Sequence, residues 1–266
     1  MGELGQGPIR KMVTTPADTV QYALPIGEDV VPMNPLLGQT VQIAYAGEIR
    51  CVACGRRTKK SFNQGHCFPC LRRLASCDSC IVKPEQCHYF EGTCREPAWG
   101  EEYCLIPHTV YLANTGAVKV GITRGGNENI RWVDQGASEA LAIFTVRDRL
   151  TSGQVEVALK DHVADRTNWR VMLSGEPDSI DLEAAREELL DKADLSGLSV
   201  VEPTLETRRF RYPVLEYPEK VRSLNLDKSP VIEGVLQGIK GQYLLLDCGV
   251  INMRKYGGYV LSLSAS

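Results

Sequence analysis

Nine of the ten cysteines of this chain fall between Cys51 and Cys104. The run begins with two tight pairs, Cys51-x2-Cys54 and Cys67-x2-Cys70, which are separated by twelve residues. Two such pairs can place four thiolates around one ion, the tetrahedral arrangement of a structural zinc site. We therefore expect a metal ion, rather than a hydrophobic core, to organise the fold of this segment.

A second group of candidate ligands follows, with more cysteines than one tetrahedral ion can use. We expect a second metal centre, with Cys104 as a substitute ligand or an addition. Zinc is the expected ion, while an iron–sulfur cluster also accepts thiolates alone and stays open as the alternative. Cys248 stands apart in a β-rich stretch and is expected to be a small core residue. The favoured ligands of the second centre are Cys77, Cys80, Cys87 and Cys94.

The cations of the chain are concentrated at the first cysteine pairs. The net charge is −3, yet residues 50–76 contain Arg and Lys but no Asp or Glu. A basic segment on an acidic chain predicts an anionic partner, and we expect nucleic acid, either DNA or RNA. Alternatively, these cations compensate the negative charge of a four-thiolate zinc centre. The cations expected to contact substrate are Arg56, Arg57, Lys59 and Lys60.

The compartment is predicted from what the early sequence contains. No apolar run approaches the length of a membrane span, and the first thirty residues contain Pro and acidic residues where a signal peptide needs an apolar block. Thiols that bind metal also fit a reducing compartment. We therefore expect a cytoplasmic protein without a membrane partner, and its oligomeric state stays open.

The fold class is predicted to be α+β. The residue composition and the hydrophobic pattern change at each of three predicted domain boundaries. The Cys-rich stretch should form a zinc-ribbon-like unit, a small β-β-α-β-α core should follow it, and the Gly-punctuated end of the chain should form a small β-sheet or barrel. The predicted domains are residues 1–49 (N-terminal β segment), 50–107 (Cys-rich unit), 108–200 (α/β domain) and 201–266 (C-terminal β domain).

The element order of the core comes from hydrophobic periodicity and turn residues. Strand patterns at residues 109–113 and 118–123 flank a turn and predict a hairpin. A helix from Thr151 to Arg166, capped by Thr151 or Ser152, should follow a short helix and a third strand. The remaining predicted elements are helices at residues 127–135 and 181–193, and strands at residues 39–45, 141–146, 209–215, 231–237, 243–247 and 259–264.

The stretch that contains Tyr111, Gly121, Arg131 and Glu156 in this order resembles the GIY-YIG nuclease domain over about residues 108–170. The resemblance implies that Tyr111 helps to activate water, that Arg131 balances charge on the phosphate, and that Glu156 holds one Mg²⁺ or Mn²⁺. Gly121 matches the glycine of the second motif. The whole chain also resembles an uncharacterised bacterial family in which a Cys-rich segment precedes such a core.

Lys119 stands where the GIY-YIG family has its second tyrosine. It can offer a point charge to the phosphate or, when buried with a lowered pKa, take part in proton transfer. Trp132 is expected in the core, and Asp165 is either structural or at the rim of the cleft. Further residues expected to line the site are His108, Gly121, Asp134 and Gln135, and His108 could instead serve as a distal metal ligand.

Three functions remain open from these patterns. The leading hypothesis is a zinc-stabilised, divalent-metal-dependent nuclease-like protein, a phosphodiester hydrolase of the endonuclease kind. The alternative is a non-catalytic nucleic-acid-binding or adaptor protein that keeps the fold without hydrolysis. The third is a redox sensor built on the second cysteine group.

Overall fold

The computed structural model describes residues 1–163 and 166–266, and it confirms the α+β class. In chain order the strands are β1 Gly2–Pro8, β2 Val13–Thr15, β3 Gln21–Ile26, β4 Asp29–Pro32, β5 Thr40–Arg50, β6 Arg57–Thr58, β7 His108–Asn114, β8 Val118–Arg124, β9 Glu139–Val146, β10 Arg208–Arg209, β11 Val231–Lys240, β12 Tyr243–Leu246, β13 Gly249–Asn252 and β14 Tyr259–Ala265. The α-helices are α1 Phe68–Arg73, α2 Pro97–Tyr103, α3 Glu128–Asp134, α4 Arg149–Lys160, α5 Trp169–Leu173 and α6 Leu182–Lys192. Asp165 lies outside the described residues.

The chain divides into two compact units that interleave along the sequence. The first unit contains Met1–Leu71, Leu173–Gly175 and Phe210–Ser266, and the second contains Arg72–Met172 and Glu176–Arg209. The boundary at residues 71 and 72 falls inside the Cys-rich stretch. The first two cysteine pairs therefore belong to the first unit, and the five cysteines from Cys77 to Cys104 belong to the second.

The first unit is built on an antiparallel seven-stranded sheet with the order β1-β14-β5-β11-β12-β13, with β6 paired to β5. In β14 every second residue is buried, from Tyr259 to Ala265, as expected for a strand with one face on the core. A separate three-stranded sheet has the order β2-β3-β4. One sheet thus contains strands from two segments that the sequence analysis assigns to separate domains, residues 1–49 and residues 201–266.

The second unit contains the β-β-α-β-α order in the sequence β7, β8, α3, β9 and α4. Its four-stranded sheet has the order β10-β9-β7-β8. One face packs on α4 and α6 through Val110 and Leu112 of β7, Val155 of α4 and Leu182 of α6. Because strand side chains alternate, Thr109 and Tyr111 point to the opposite face of the sheet.

The start of α4 differs from the prediction. The N-cap is Asp148, whose Oδ1 accepts a hydrogen bond from the Thr151 amide at 2.8 Å, and not Thr151 or Ser152. Aspartate caps as well as serine, and it stands one turn earlier, so the helix begins at Arg149 and buries both predicted caps in its first turn. The helix ends at Lys160 rather than Arg166.

Two further predictions are wrong. Of the strand expected over residues 209–215, only Arg209 lies in a strand, as the second residue of β10, and Val214 forms an isolated bridge. Pro213 lacks the N–H that a continuous strand ladder needs. Cys248 is exposed rather than in the core, since it lies in the tight turn between β12 and β13.

Trp132 is buried, as predicted. None of the helices within the described residues is both long and apolar enough to cross a bilayer.

Candidate metal centres and phosphodiester site

The first candidate metal centre is formed by Cys51, Cys54, Cys67 and Cys70, whose sulfur atoms all lie within 4.8 Å of one another. Cys51 follows the last residue of β5, Cys67 precedes α1, and Cys70 lies inside that helix. Gly55 closes the first turn with φ +69°, and its amide donates to the Cys51 carbonyl at 2.8 Å. The arrangement is zinc-ribbon-like.

The sulfur spacing fits zinc closely. The Sγ atoms of Cys54 and Cys67 are 3.8 Å apart. A tetrahedron with zinc–sulfur bonds of about 2.3 Å has sulfur–sulfur edges of about 3.8 Å. This quartet could therefore bind a zinc ion without rearrangement of the backbone.

The pKa values of two of these thiols, Cys51 and Cys70, are shifted in opposite directions. Burial opposes ionisation of Cys51, but the amides around it prevail and lower its pKa to about 6. Burial and the neighbouring thiols raise the pKa of Cys70 to about 12. A bound Zn²⁺ removes this opposition, because a coordinated thiol is held as the thiolate.

A basic surface lies on the loop between the two cysteine pairs. Phe62 and Phe68 are 5.7 Å apart between ring centroids, and Lys60 Nζ is 5.3 Å from the centroid of Phe62. Phe68 is 52% exposed, so this aromatic pair is not a core contact alone. The exposed cations beside it are Arg56, Arg57, Lys59 and Lys60.

In the second unit, Tyr111 and Gly121 are directly opposite each other in β7 and β8. Tyr111 is fully buried, and its ring lies over Gly121 so closely that a Cβ there would be 2.6 Å from the hydroxyl oxygen. Glycine at position 121 is therefore required by the tyrosine. Trp132 of α3 packs edge-on against the same ring, with centroids 5.8 Å apart.

The hydroxyl of Tyr111 has a hydrogen-bond partner with a short contact and two charged neighbours. Gln135 Nε2 donates to it at 2.7 Å. Burial raises the pKa of Tyr111, whereas the charge of Arg131 and a hydrogen bond from its side chain act in the opposite direction. Glu156 on α4, half-buried, is near enough to raise the same pKa. The structure thus places Gln135 in contact with the Tyr111 hydroxyl and Arg131 and Glu156 within electrostatic range of it.

Lys119 and Asp134 are buried parts of the same unit. Lys119 is opposite Ala113 and two residues from Gly121 in β8, so it points to the face that carries Tyr111. Its side chain is only 6% exposed. Asp134 is also buried, in the last turn of α3.

His108, expected to line the site, is fully buried at the start of β7. Its Nδ1 is 2.8 Å from the Ile106 carbonyl, and its Nε2 is buried and has no hydrogen-bond partner among residues 1–163 and 166–266. Burial is the main reason that its pKa falls to about 4. His108 is therefore neutral near pH 7 and donates from Nδ1 to the backbone.

The later cysteines surround one pocket in the second unit. Its sulfur lining comes from Cys80, Cys87, Cys94 and Cys104, and Cys77 is absent from that lining. Asp78, Cys80 and His88 place ligand atoms within 4.8 Å of one another and could also bind zinc.

Arg149 hydrogen-bonds the backbone of the loop that carries Cys80, although it does not line the pocket, and no sequence motif reveals it. Its Nη2 donates to the Ile81 carbonyl at 2.6 Å, and its amide donates to the Cys104 carbonyl at 2.8 Å. A cation in the first turn of a helix is disfavoured by the helix dipole, so arginine immediately after the Asp148 cap is the one signal that the sequence offers.

Comparison with known proteins identifies the family. Residues 38–261 match a family described as a protein of unknown function, DUF2797. The chain belongs to the DUF2797 family. No curated protein and no solved structure matches it. The match spans the cysteine pairs, the core around Tyr111 and most of the C-terminal strands, so the candidate sites all lie within the DUF2797 region.

Proposed function

We propose that this DUF2797 protein is a zinc-stabilised, divalent-metal-dependent nuclease-like enzyme that hydrolyses nucleic-acid phosphodiesters. The observation that supports this function best is the hydrogen bond from Gln135 to the hydroxyl of Tyr111, on which the charges of Arg131 and Glu156 also act. A tyrosine hydroxyl, a guanidinium and a carboxylate are the groups that in-line attack on a phosphodiester requires. The GIY-YIG-like order of these residues supports the same assignment.

Each residue has a role that follows from its surroundings. Tyr111 is held rigidly over Gly121, so its hydroxyl can orient the attacking water. Arg131 places positive charge where the pentavalent phosphate becomes more negative. Glu156 supplies a single carboxylate, and Mg²⁺ is commonly held by one or two carboxylates together with substrate phosphates. A divalent ion bound there would act as a Lewis acid on the phosphate. Lys119 adds a positive charge on the same face of the sheet.

The basic surface on the loop between the first two cysteine pairs supports nucleic acid as the partner. Its exposed cations can contact successive phosphates, and the exposed ring of Phe68 can stack on a base. Removing four cations together should lower the salt dependence of nucleic-acid binding. The slope of log K against log salt concentration should decrease by about 0.9 for each duplex phosphate that these cations neutralise in the parent chain. The four cations are Arg56, Arg57, Lys59 and Lys60. Removal of the exposed Lys220 and Lys228 outside this surface is the matched control.

A second candidate function, nucleic-acid binding without hydrolysis, is favoured by one observation. Tyr111 is fully buried and Lys119 is nearly so, and a buried hydroxyl with a raised pKa is a poor proton acceptor. Both functions predict binding through the basic surface. Only the first predicts cleavage.

Cleavage assays on the full chain separate the two functions. Labelled single- and double-stranded DNA and RNA are incubated with the protein and Mg²⁺ or Mn²⁺, beside Glu156→Gln and the exposed-surface control Glu187→Gln. The enzyme function predicts product from the parent chain, a loss of about 100-fold or more in Glu156→Gln and no change in the control. Binding without any product that depends on Glu156 would leave the non-catalytic function.

A further inference from the structure

Four thiols approach one pocket of the second unit from separate short elements. Cys80 lies in the 3-10 turn Ser79–Ile81, Cys87 and Cys94 follow two further 3-10 turns, and Cys104 caps the end of α2. None of the four belongs to a tight sequence pair with another of them, and all four line the same pocket. The rest of the wall is mostly small or aromatic and includes Ala75, Tyr89, Trp99 and Gly100.

The spacing of these thiols differs from that of the first centre. Within residues 1–163 and 166–266, the only sets of three or more Cys, His, Asp or Glu ligand atoms that lie within 4.8 Å of one another are the Cys51 quartet and the set of Asp78, Cys80 and His88. The four thiols of the pocket are not drawn together as a single zinc ion requires. A centre of several iron atoms bridged by sulfide holds its thiolates farther apart.

The oxygen and nitrogen ligands near the pocket are already engaged. Asp78 forms an ion pair with Arg95 Nε at 2.7 Å and accepts from the Ser79 amide at 2.6 Å. His88 Nδ1 lies 2.7 Å from Thr93 Oγ1, and its Nε2 faces Asp78 at 3.4 Å. A guanidinium on the carboxylate opposes the approach of a second cation to Asp78. The thiols are therefore the better ligands.

Arg149 supplies the charge that a thiolate-rich centre needs. It is half-buried, its charge acts on the thiols of Cys104, Cys80 and Cys87, and its side chain also donates to the carbonyls of Cys80 and Ile81. An oxidised iron–sulfur core with four thiolates carries a net negative charge. A buried negative centre is tolerated when a cation is paired with it, and Arg149 is placed to be that cation.

We propose that Cys80, Cys87, Cys94 and Cys104 bind an iron–sulfur cluster and that Cys77 is not one of its ligands. The cluster is a site additional to the zinc centre and the phosphodiester site, and neither of those functions requires it. Its loops pack directly on α4: a Cβ on Gly153 would lie 2.2 Å from the Glu85 amide. The cluster therefore holds the helix that carries Glu156.

The test is the metal content of the full chain, purified without oxygen from cells supplied with iron. We expect iron and acid-labile sulfide in equal amounts, stoichiometric zinc, and the broad visible absorbance of thiolate-ligated iron. Colourless protein with zinc at both centres, or iron without sulfide, would overturn the proposal. Reconstitution of the metal-depleted chain with ferrous iron and sulfide should restore the absorbance, and failure to do so also counts against it.

Ligand identity is tested with matched cysteine variants. Cys87→Ser and Cys104→Ser should lose iron and sulfide but retain zinc, and the retained zinc shows that the first unit is still folded. Cys77→Ser, also a buried cysteine, should keep iron, sulfide and colour. Loss of iron in Cys77→Ser equal to that in Cys104→Ser would overturn the assigned ligand set.

Discussion

At the scale of single residues, the pairing of Tyr111 with Gly121 decides the geometry of the proposed active site. A Cβ at position 121 would lie 2.6 Å from the tyrosine hydroxyl and 2.7 Å from Cζ, closer than real Cβ contacts. The ring cannot shift freely, because Trp132 packs against it and Gln135 bonds its hydroxyl. The motif glycine thus has a physical cause that does not depend on any resemblance.

Gly121→Ala should therefore displace the Tyr111 ring and break its hydrogen bond to Gln135. We expect a loss of about 1–3 kcal/mol in the free energy of unfolding, the usual cost of overpacking a core. Urea denaturation measures it, with Gly175→Ala as the control because a Cβ there meets nothing within 4 Å. Equal stability of the two variants would show that the ring is not fixed by position 121.

His108 should make stability depend on pH on the acid side. Burial lowers its pKa from 6.5 to about 4, so the unfolded chain takes up a proton in this range that the folded protein does not. The contribution of His108 is complete above pH 6.5 and is lost as the pH falls towards 4. The loss is about 3 kcal/mol.

The measurement for His108 is the free energy of unfolding between pH 4 and 7. His108→Gln should flatten the curve relative to the parent chain, whereas the exposed His162→Gln should follow the parent. Acid also protonates metal-binding thiolates, but that effect is common to all three proteins and cancels in the difference. Parallel curves for the parent and His108→Gln would contradict the assignment.

At the scale of elements, α4 links the second cysteine group to the proposed phosphodiester site. Gly153 lies in its first turns, and a Cβ there would be 2.2 Å from the Glu85 amide and 2.5 Å from the Pro84 carbonyl carbon. Alanine normally stabilises a helix relative to glycine by about 1 kcal/mol. Here the contact is with backbone, which cannot rotate away, so the packing cost exceeds the gain in propensity.

Gly153→Ala should therefore lower the free energy of unfolding by about 1 kcal/mol or more. It should also reduce Glu156-dependent cleavage, because the helix must move to relieve the clash. The exposed position one residue later, Gln154→Ala, is the control and should be neutral or slightly stabilising. A stabilised Gly153→Ala would show that the loop at Pro84 yields easily.

The elements that are predictable are those with a local signal. The hairpin of β7 and β8, helix α3 and helix α6 follow from alternation, turn residues and caps within the segment itself. Strands β2 to β4 pair with one another locally, but they are short and interrupted by Pro and Gly, which hides their pattern. Strand β1 is not predicted, because its Gly-rich sequence has no alternation and its partner is distant in sequence: Gly2 pairs with Ala265. The role of Arg149 is hidden for the same reason, since its burial arises from loops more than 60 residues away.

At the scale of the whole molecule, the two cysteine groups serve different units. The quartet of Cys51, Cys54, Cys67 and Cys70 joins the end of β5 to the start of α1 in the first unit, whereas the later cysteines organise loops of the second. The spacing of cysteines along the chain predicts two centres. It does not predict that the boundary between units falls at residue 71, because interleaving of Phe210–Ser266 with the N-terminal strands is a long-range property of the sheet.

Loss of zinc should therefore destabilise the first unit and leave the second unit unchanged. A structural Zn²⁺ contributes about 10–16 kcal/mol of apparent binding free energy at neutral pH, as much as the whole stability of a typical domain, about 5–15 kcal/mol. Cys54→Ser removes an exposed ligand at little packing cost, and should release zinc and accelerate amide hydrogen exchange in residues 49–71 and in the strands paired with β5. Exchange in β7, β8 and β9 of the second unit should stay unchanged.

The control is Cys248→Ser, also at an exposed cysteine, which should retain zinc and show the same amide exchange as the parent chain. Equal acceleration across both units would mean that zinc stabilises the chain as a single cooperative body.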